Sequence, residues 1–277
     1  MRLVVQLAAV VAVAFLGGLV TGAVEGSAPA TLVAGVGTAV VLVLGYALVV
    51  RWTERRAPEE VAARGAAGAL ARGLLVGAGM FGTVVLCLAS LGYYRVDGMG
   101  SVAGAVALVG FMAAAATWEE LAFRGVLFRI VEERLGTWWA MGLTAVAFGL
   151  MHLPNPDASL WGATAIAIEA GGMLAAAYVA TRNLWVPIGV HFGWNYAAAG
   201  IFGTVVSGTG ANQGLLDGVT SGPALLTGGA FGPEASPFAV LSGLLLTVAF
   251  LWLAHRRGNL IPRKGRAAAA ESVTVAR

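Results

Sequence analysis

The sequence predicts an all-α membrane protein, a bundle of about eight transmembrane helices around a buried polar site. Three observations support that class. The 277 residues are 58% hydrophobic and 11% charged, with a mean hydropathy of +0.83, whereas soluble domains carry about a quarter charged residues. The apolar residues fall into segments close to the roughly 20 residues a bilayer-spanning helix needs. The few polar residues inside those segments recur at helical spacing.

The segments lie near 3–23, 29–50, 73–92, 99–118 (running on to about 134), 137–153, 159–180, 184–206 and 237–254. Arg2 precedes the first, as in a signal peptide, but its apolar stretch exceeds the ~7–15 residues of a signal core and reads as an uncleaved anchor. The chain divides into two spans and a loop (1–72), a core (73–206), a Gly-rich loop (207–236) and a last span with its tail (237–277). The stretch RWTERRAPEEVAARGAAGALARG (51–73) mixes charge signs with helix formers and reads as an interfacial cytoplasmic helix. The 207–236 loop is longer than the ~12–15 residues of ordinary connections, so it is either disordered or a functional cap. The tail RKGRAAAAESVTVAR reads as disordered. The 40 glycines suit helices packed closely in lipid. Cys87 is alone, which excludes an intrachain disulfide.

Eight spans put both termini on one side. With that side cytoplasmic, all but Arg95 of the 17 Lys and Arg residues lie inside, as the positive-inside rule requires. The net charge of +3 is therefore topology. No basic patch with interleaved aromatics occurs, so nucleic acid is excluded as a partner. The Ala/Gly/Val-rich composition reads as bacterial, and the expected location is the inner membrane. The oligomeric state is not legible.

A charge at the bilayer centre costs about 2.5–3.5 kcal/mol on insertion scales, so such residues need partners or a use. The candidates are Glu119, Glu120, Arg124, His152, Glu169, His191 and Asn195. Glu120 and Arg124 are four apart and can pair on one helix face. Glu119 is turned about 100° away and needs another partner. Phe148 with His152, and His191 with Asn195, repeat the four-residue spacing. From the cytoplasmic edge, the helical rise places Glu119 at ~15 Å, His191 at ~10 Å and His152 at ~20 Å, within reach of one another given ordinary tilt. Plainer readings stand beside this one. The Glu120–Arg124 pair also suits a structural staple, membrane histidines often bond neighbouring helices, and Glu169 either bonds a neighbouring helix or lines the cavity, the structural role being the preferred reading. Trp138, Trp139 and Trp185 read as interfacial anchors.

The motifs EELAFRG (119–125), FGLMH (148–152) and HFGWN (191–195), in that order on separate apolar spans, resemble the EExxxR, FxxxH and HxxxN motifs of the CPBP family of intramembrane proteases. That family includes the CAAX prenyl endopeptidases and the bacterial Abi proteins, and the resemblance covers about residues 80–206. It implies that Glu119 activates a water for attack on a peptide bond. Glu120 and Arg124 support the site, while His152, His191 and Asn195 hold the water and stabilise the oxyanion. A desolvated carboxylate is a competent general base near neutral pH, and dry donors aimed at an oxyanion contribute several kcal/mol. Glu119, His152 and His191 also form a possible zinc set. With no HExxH present, the expectation is metal-independent catalysis without a cofactor. The expected substrate is a membrane peptide or protein, such as a bacteriocin leader, met within the lipid bilayer. Two other classes remain open: a proton-coupled transporter, whose relays also use intramembrane Glu and His but whose repeated halves are not seen, and a non-catalytic immunity or scaffold protein.

Overall fold

The computed structural model describes residues 1–210 and 213–263; the tail after Arg263, expected to be disordered, lies outside the described residues. Helices stand at every predicted span: α1 (Arg2–Ala23), α2 (Ala28–Glu54), α3 (Ala66–Ser90), α4 (Val102–Leu135), α5 (Thr137–Met151), α6 (Leu160–Thr181), α7 (Trp185–Asn195) and α8 (Pro237–Arg256). All but α5 and α7 are long and apolar enough to cross a membrane, so the protein is a multi-pass membrane protein with, among the described residues, six such helices and two shorter ones. Three starts are fixed by serine caps. The hydroxyls of Ser101, Ser159 and Ser236 accept from the amides of Gly104, Gly162 and Ala239, satisfying donors that a helix start leaves free.

The tightest contact in the bundle joins α3 to α7. A Cβ added at Gly77 would lie 2.0 Å from the Val190 carbonyl oxygen, and one added at Gly193 would lie 2.3 Å from that of Leu74. The two backbones touch directly, as small residues permit in lipid. His191 stands on α7 within this contact.

Three expectations are revised. Residues 51–73 do not form a separate interfacial helix. α2 runs on to Glu54 and ends at Arg55 in the left-handed region (φ 54°), a single 3-10 turn covers Glu59–Val61, and α3 begins at Ala66. Tertiary ion pairing overrides local helix propensity here. Both η nitrogens of Arg129 donate to Glu54 at 2.7 Å, and Gln6 donates to it at 2.8 Å. Arg56 forks onto Glu60 at 2.8 and 2.7 Å, and the Tyr46 hydroxyl donates to Glu60 at 2.6 Å. Burial opposes charge at Glu60, yet the bonds from Arg56 and Tyr46 hold its carboxyl below the ordinary value.

Second, a short antiparallel ribbon, β1 (Tyr94–Met99) paired with β2 (Leu216–Thr220), lies outside the helices. Its strands carry Gly and Asp and show no alternation, so they gave no strand signal. A tertiary bond, from the Tyr94 hydroxyl to the Phe202 carbonyl at 2.9 Å, ties the ribbon to the bundle. Third, Arg124 is not a topology charge, because it is buried to 1% exposure. Of the two alternatives for the Gly-rich loop, its described part is folded. Beyond β2 come a one-turn helix at Ala224–Thr227 and 3-10 turns at Gly229–Phe231 and Pro233–Ala235. Trp161 of α6 holds it by a 2.8 Å bond to the Ala235 carbonyl.

Candidate active site

Among the described residues three π-helical segments interrupt the bundle: Leu121–Phe128 in α4, Ala167–Gly172 in α6, and Tyr196–Ile201 directly after α7. Such wider turns are rare and often mark functional sites. Each adjoins or contains an intramembrane polar residue: Glu119, Glu120 and Arg124 at the first, Glu169 in the second, Asn195 at the third. No local sequence pattern announces them. They are stabilised from outside the turn. Arg124 donates through Nη2 to the Ala170 and Gly171 carbonyls, both at 3.0 Å, and the Gly125 carbonyl accepts from Tyr46 and from Arg129 Nε, both at 2.9 Å.

Glu120 is fully buried. Its Oε1 accepts from Arg124 Nη1 at 2.7 Å, the pairing read from the four-residue spacing, and lies 2.9 Å from His191 Nδ1. The carboxylate accepts, so Nδ1 donates and the Nε2 lone pair is left free. Nε2 points toward Glu119, 3.9 Å from its Oε2. That oxygen is buried and has no hydrogen-bond partner among the described residues. The gap is too long for a direct bond and suits one bridging water.

His152, the C-cap of α5, has Nδ1 2.8 Å from the Phe148 carbonyl. A carbonyl only accepts, so this ring too donates through Nδ1 and keeps Nε2 free. Phe148 gathers the site from below. Its ring centroid lies 4.6 Å from the Arg124 guanidinium, 5.0 Å from the His152 ring and 6.0 Å from the His191 ring. His152, His191, Asn195 and Glu169 line a cavity of about 20 Å³, room for about one water.

The six polar residues that the three motifs single out thus meet in one region. Glu119, Glu120, Arg124 and His191 interlock, and His152 and Asn195 line the cavity beside His191. Sequence reasoning missed Ser207 and Glu234, which close the cavity from the folded loop. Glu234 is 2% exposed and accepts from Trp194 Nε1 at 2.6 Å and from the Ser207 amide and hydroxyl. The one available signal was a carboxylate just ahead of an apolar span, in PEASPFAVL. As for zinc, among the described residues no three His, Cys, Asp or Glu side chains are gathered closely enough to hold a metal ion, Glu119, His152 and His191 included.

Comparison with known proteins gives one match. Residues 101–197 fit the family model described as type II CAAX prenyl endopeptidase Rce1-like. No curated protein and no solved structure matches. The matched stretch runs from the start of α4 through the third motif and holds Glu119, Glu120, Arg124, His152, His191 and Asn195. Over this stretch the chain is similar to the type II CAAX prenyl endopeptidases, in keeping with the resemblance of its three motifs to the CPBP family of intramembrane proteases.

Proposed function

We propose that the protein is an intramembrane endopeptidase that hydrolyses a peptide bond of a membrane-associated peptide or protein with a water activated by Glu119. The observation that supports this most is the opposition of Glu119 Oε2 and His191 Nε2 at 3.9 Å. A water between two acceptors offers one hydrogen to each, which aims its oxygen lone pair outward. Glu119 removes a proton as that oxygen bonds to the scissile carbonyl carbon, and the carbonyl electron pair moves onto oxygen. Both histidines spend their N–H groups elsewhere, so the Asn195 amide is the neutral donor for the oxyanion. When the carbonyl re-forms, the C–N bond breaks and the proton on Glu119 passes to the leaving nitrogen. Glu120 and Arg124 position His191 and touch no reacting atom. Each step is carried by the chain's own residues.

The same reading places the protein in a bacterial inner membrane with both termini in the cytoplasm. Arg2 with Glu133, Arg182 with Glu132 and with the Asn259 carbonyl, and the end of α2 with the 55–65 loop lie at one end of the bundle, and the basic residues of that end fit the positive-inside rule.

The test is to incubate the purified protein with a membrane-peptide library and map cuts by mass spectrometry. Wild type should cut, and Glu119→Gln, which keeps shape and removes the base, should not cut while unfolding at the same temperature. Equal cutting by the two proteins would sink the mechanism. A transporter or scaffold would leave the library intact in both.

A further inference from the structure

Glu169 is the intramembrane carboxyl for which the mechanism above has no task. It is 1% exposed and lines the 20 Å³ cavity with His152, His191 and Asn195. Among the nearby carboxyls, Glu120 has two donors on one oxygen and none on the other, and Glu234 has three donors in all. No hydrogen-bond donor or cation among the described residues reaches Glu169.

Its placement is nonetheless built. α8 presses on its backbone, where a Cβ added at Gly243 would lie 2.4 Å from Glu169 Cα. The π segment Ala167–Gly172 that frees two carbonyls for Arg124 is the same one that carries Glu169 at the cavity wall. A buried polar group without a partner is costly, and so is a carboxyl within a span. A cavity water offsets both costs when two to four polar groups hold it. Glu169, the free Nε2 of His152 and the Asn195 amide supply three.

We propose that Glu169 is a positioning residue of the site, holding with His152 and Asn195 a resident water from which the attacking water between Glu119 and His191 is replaced after each cut. The supply role rests on the hydrolytic reading above; the water site does not. Radiolytic hydroxyl-radical footprinting of the full chain in lipid nanodiscs reads the water directly, because radicals form from water in place. Met173 and Trp194 line the same cavity and are buried, so they report on it. Both should be oxidised in wild type and in Glu169→Gln, which still hydrogen-bonds to water, and protected in Glu169→Leu. In the cleavage assay Glu169→Leu should lower kcat about 100-fold, the scale of a misplaced reactant, with KM unchanged, and Glu169→Gln should restore most of the rate. Equal footprints in wild type and Glu169→Leu overturn the proposal whatever the rates. A lost footprint with unchanged kcat overturns the supply role. If wild type cuts nothing, the hydrolytic reading falls and the footprint still decides the water site.

Discussion

Replacing Glu120 by Gln separates the support of the site from its chemistry. The substitution keeps the shape but removes the charge. It also leaves a single oxygen, and an amide donor, where Arg124 Nη1 and His191 Nδ1 both point as donors at 2.7 and 2.9 Å. The guanidinium, 1% exposed, is left with the Ala170 and Gly171 carbonyls and the Phe148 ring. Breaking a buried ion pair by removing one partner costs about 3–5 kcal/mol. The two remaining carbonyl bonds put this case at the lower end, about 3 kcal/mol. At roughly 2–4 °C per kcal/mol for larger chains, Tm should fall by roughly 6–12 °C. The double variant Glu120→Gln/Arg124→Met removes both charges and should recover stability to within about 1 kcal/mol of wild type. It should not recover cleavage, because His191 has still lost the acceptor that fixes its ring. Thermal unfolding in detergent, followed by tryptophan fluorescence, runs beside the cleavage assay. An unchanged Tm in Glu120→Gln refutes the reasoning, and so does a double variant whose loss equals the sum of the single losses, since additivity means the two charges are not coupled.

His152→Ala and His191→Ala should each slow cleavage by about 100–1000-fold, the scale seen when one group holding the reacting atoms is removed. A strong chelator should leave wild type unaffected, and chelator inhibition reversed by zinc would show a metal enzyme. The Glu60 carboxyl titrates below its ordinary 4.5 in the folded protein, so its contribution to stability is complete above about that pH and is lost as pH falls through the lower folded value. Acid should therefore lower the Tm of wild type more steeply than that of Glu60→Gln, and parallel curves would remove the Arg56–Glu60–Tyr46 cluster as the cause. For topology, a cysteine at exposed Ala57 should be labelled only from the cytoplasm and one at exposed Asp217 only from outside. Labelling of both from one side would overturn the proposed orientation.

The helices were legible because an apolar run is a one-dimensional signal, and every predicted span holds a helix. The Glu120–Arg124 bond was legible because both residues lie on one helix. The bond from His191 to that same carboxylate joins residues 71 positions apart, and no local pattern announces it. The π segments were invisible for a related reason. AFRGVLF suits an α-helix equally well, and the wider turn is favoured by bonds from Tyr46 and Arg129 to the Gly125 carbonyl. In the same way Gln6, Glu54 and Arg129 read as scattered helix residues until the fold brings them together. Glu234 and Ser207 lay in a loop whose glycines suggested either disorder or a cap.

Most contacts between membrane helices loosen by degrees on heating, as side chains sample other rotamers and the gap widens a little at a time. The meeting of α3 and α7 has no such slack. Where Gly77 and Gly193 lie against opposing carbonyls there are no side-chain torsions to absorb a displacement, so the join is either shut or parted. His191, carried between them, inherits that character. Warming the protein should then thin the number of working molecules while each survivor keeps full speed, and a temperature series would record inactivation as a falling head-count.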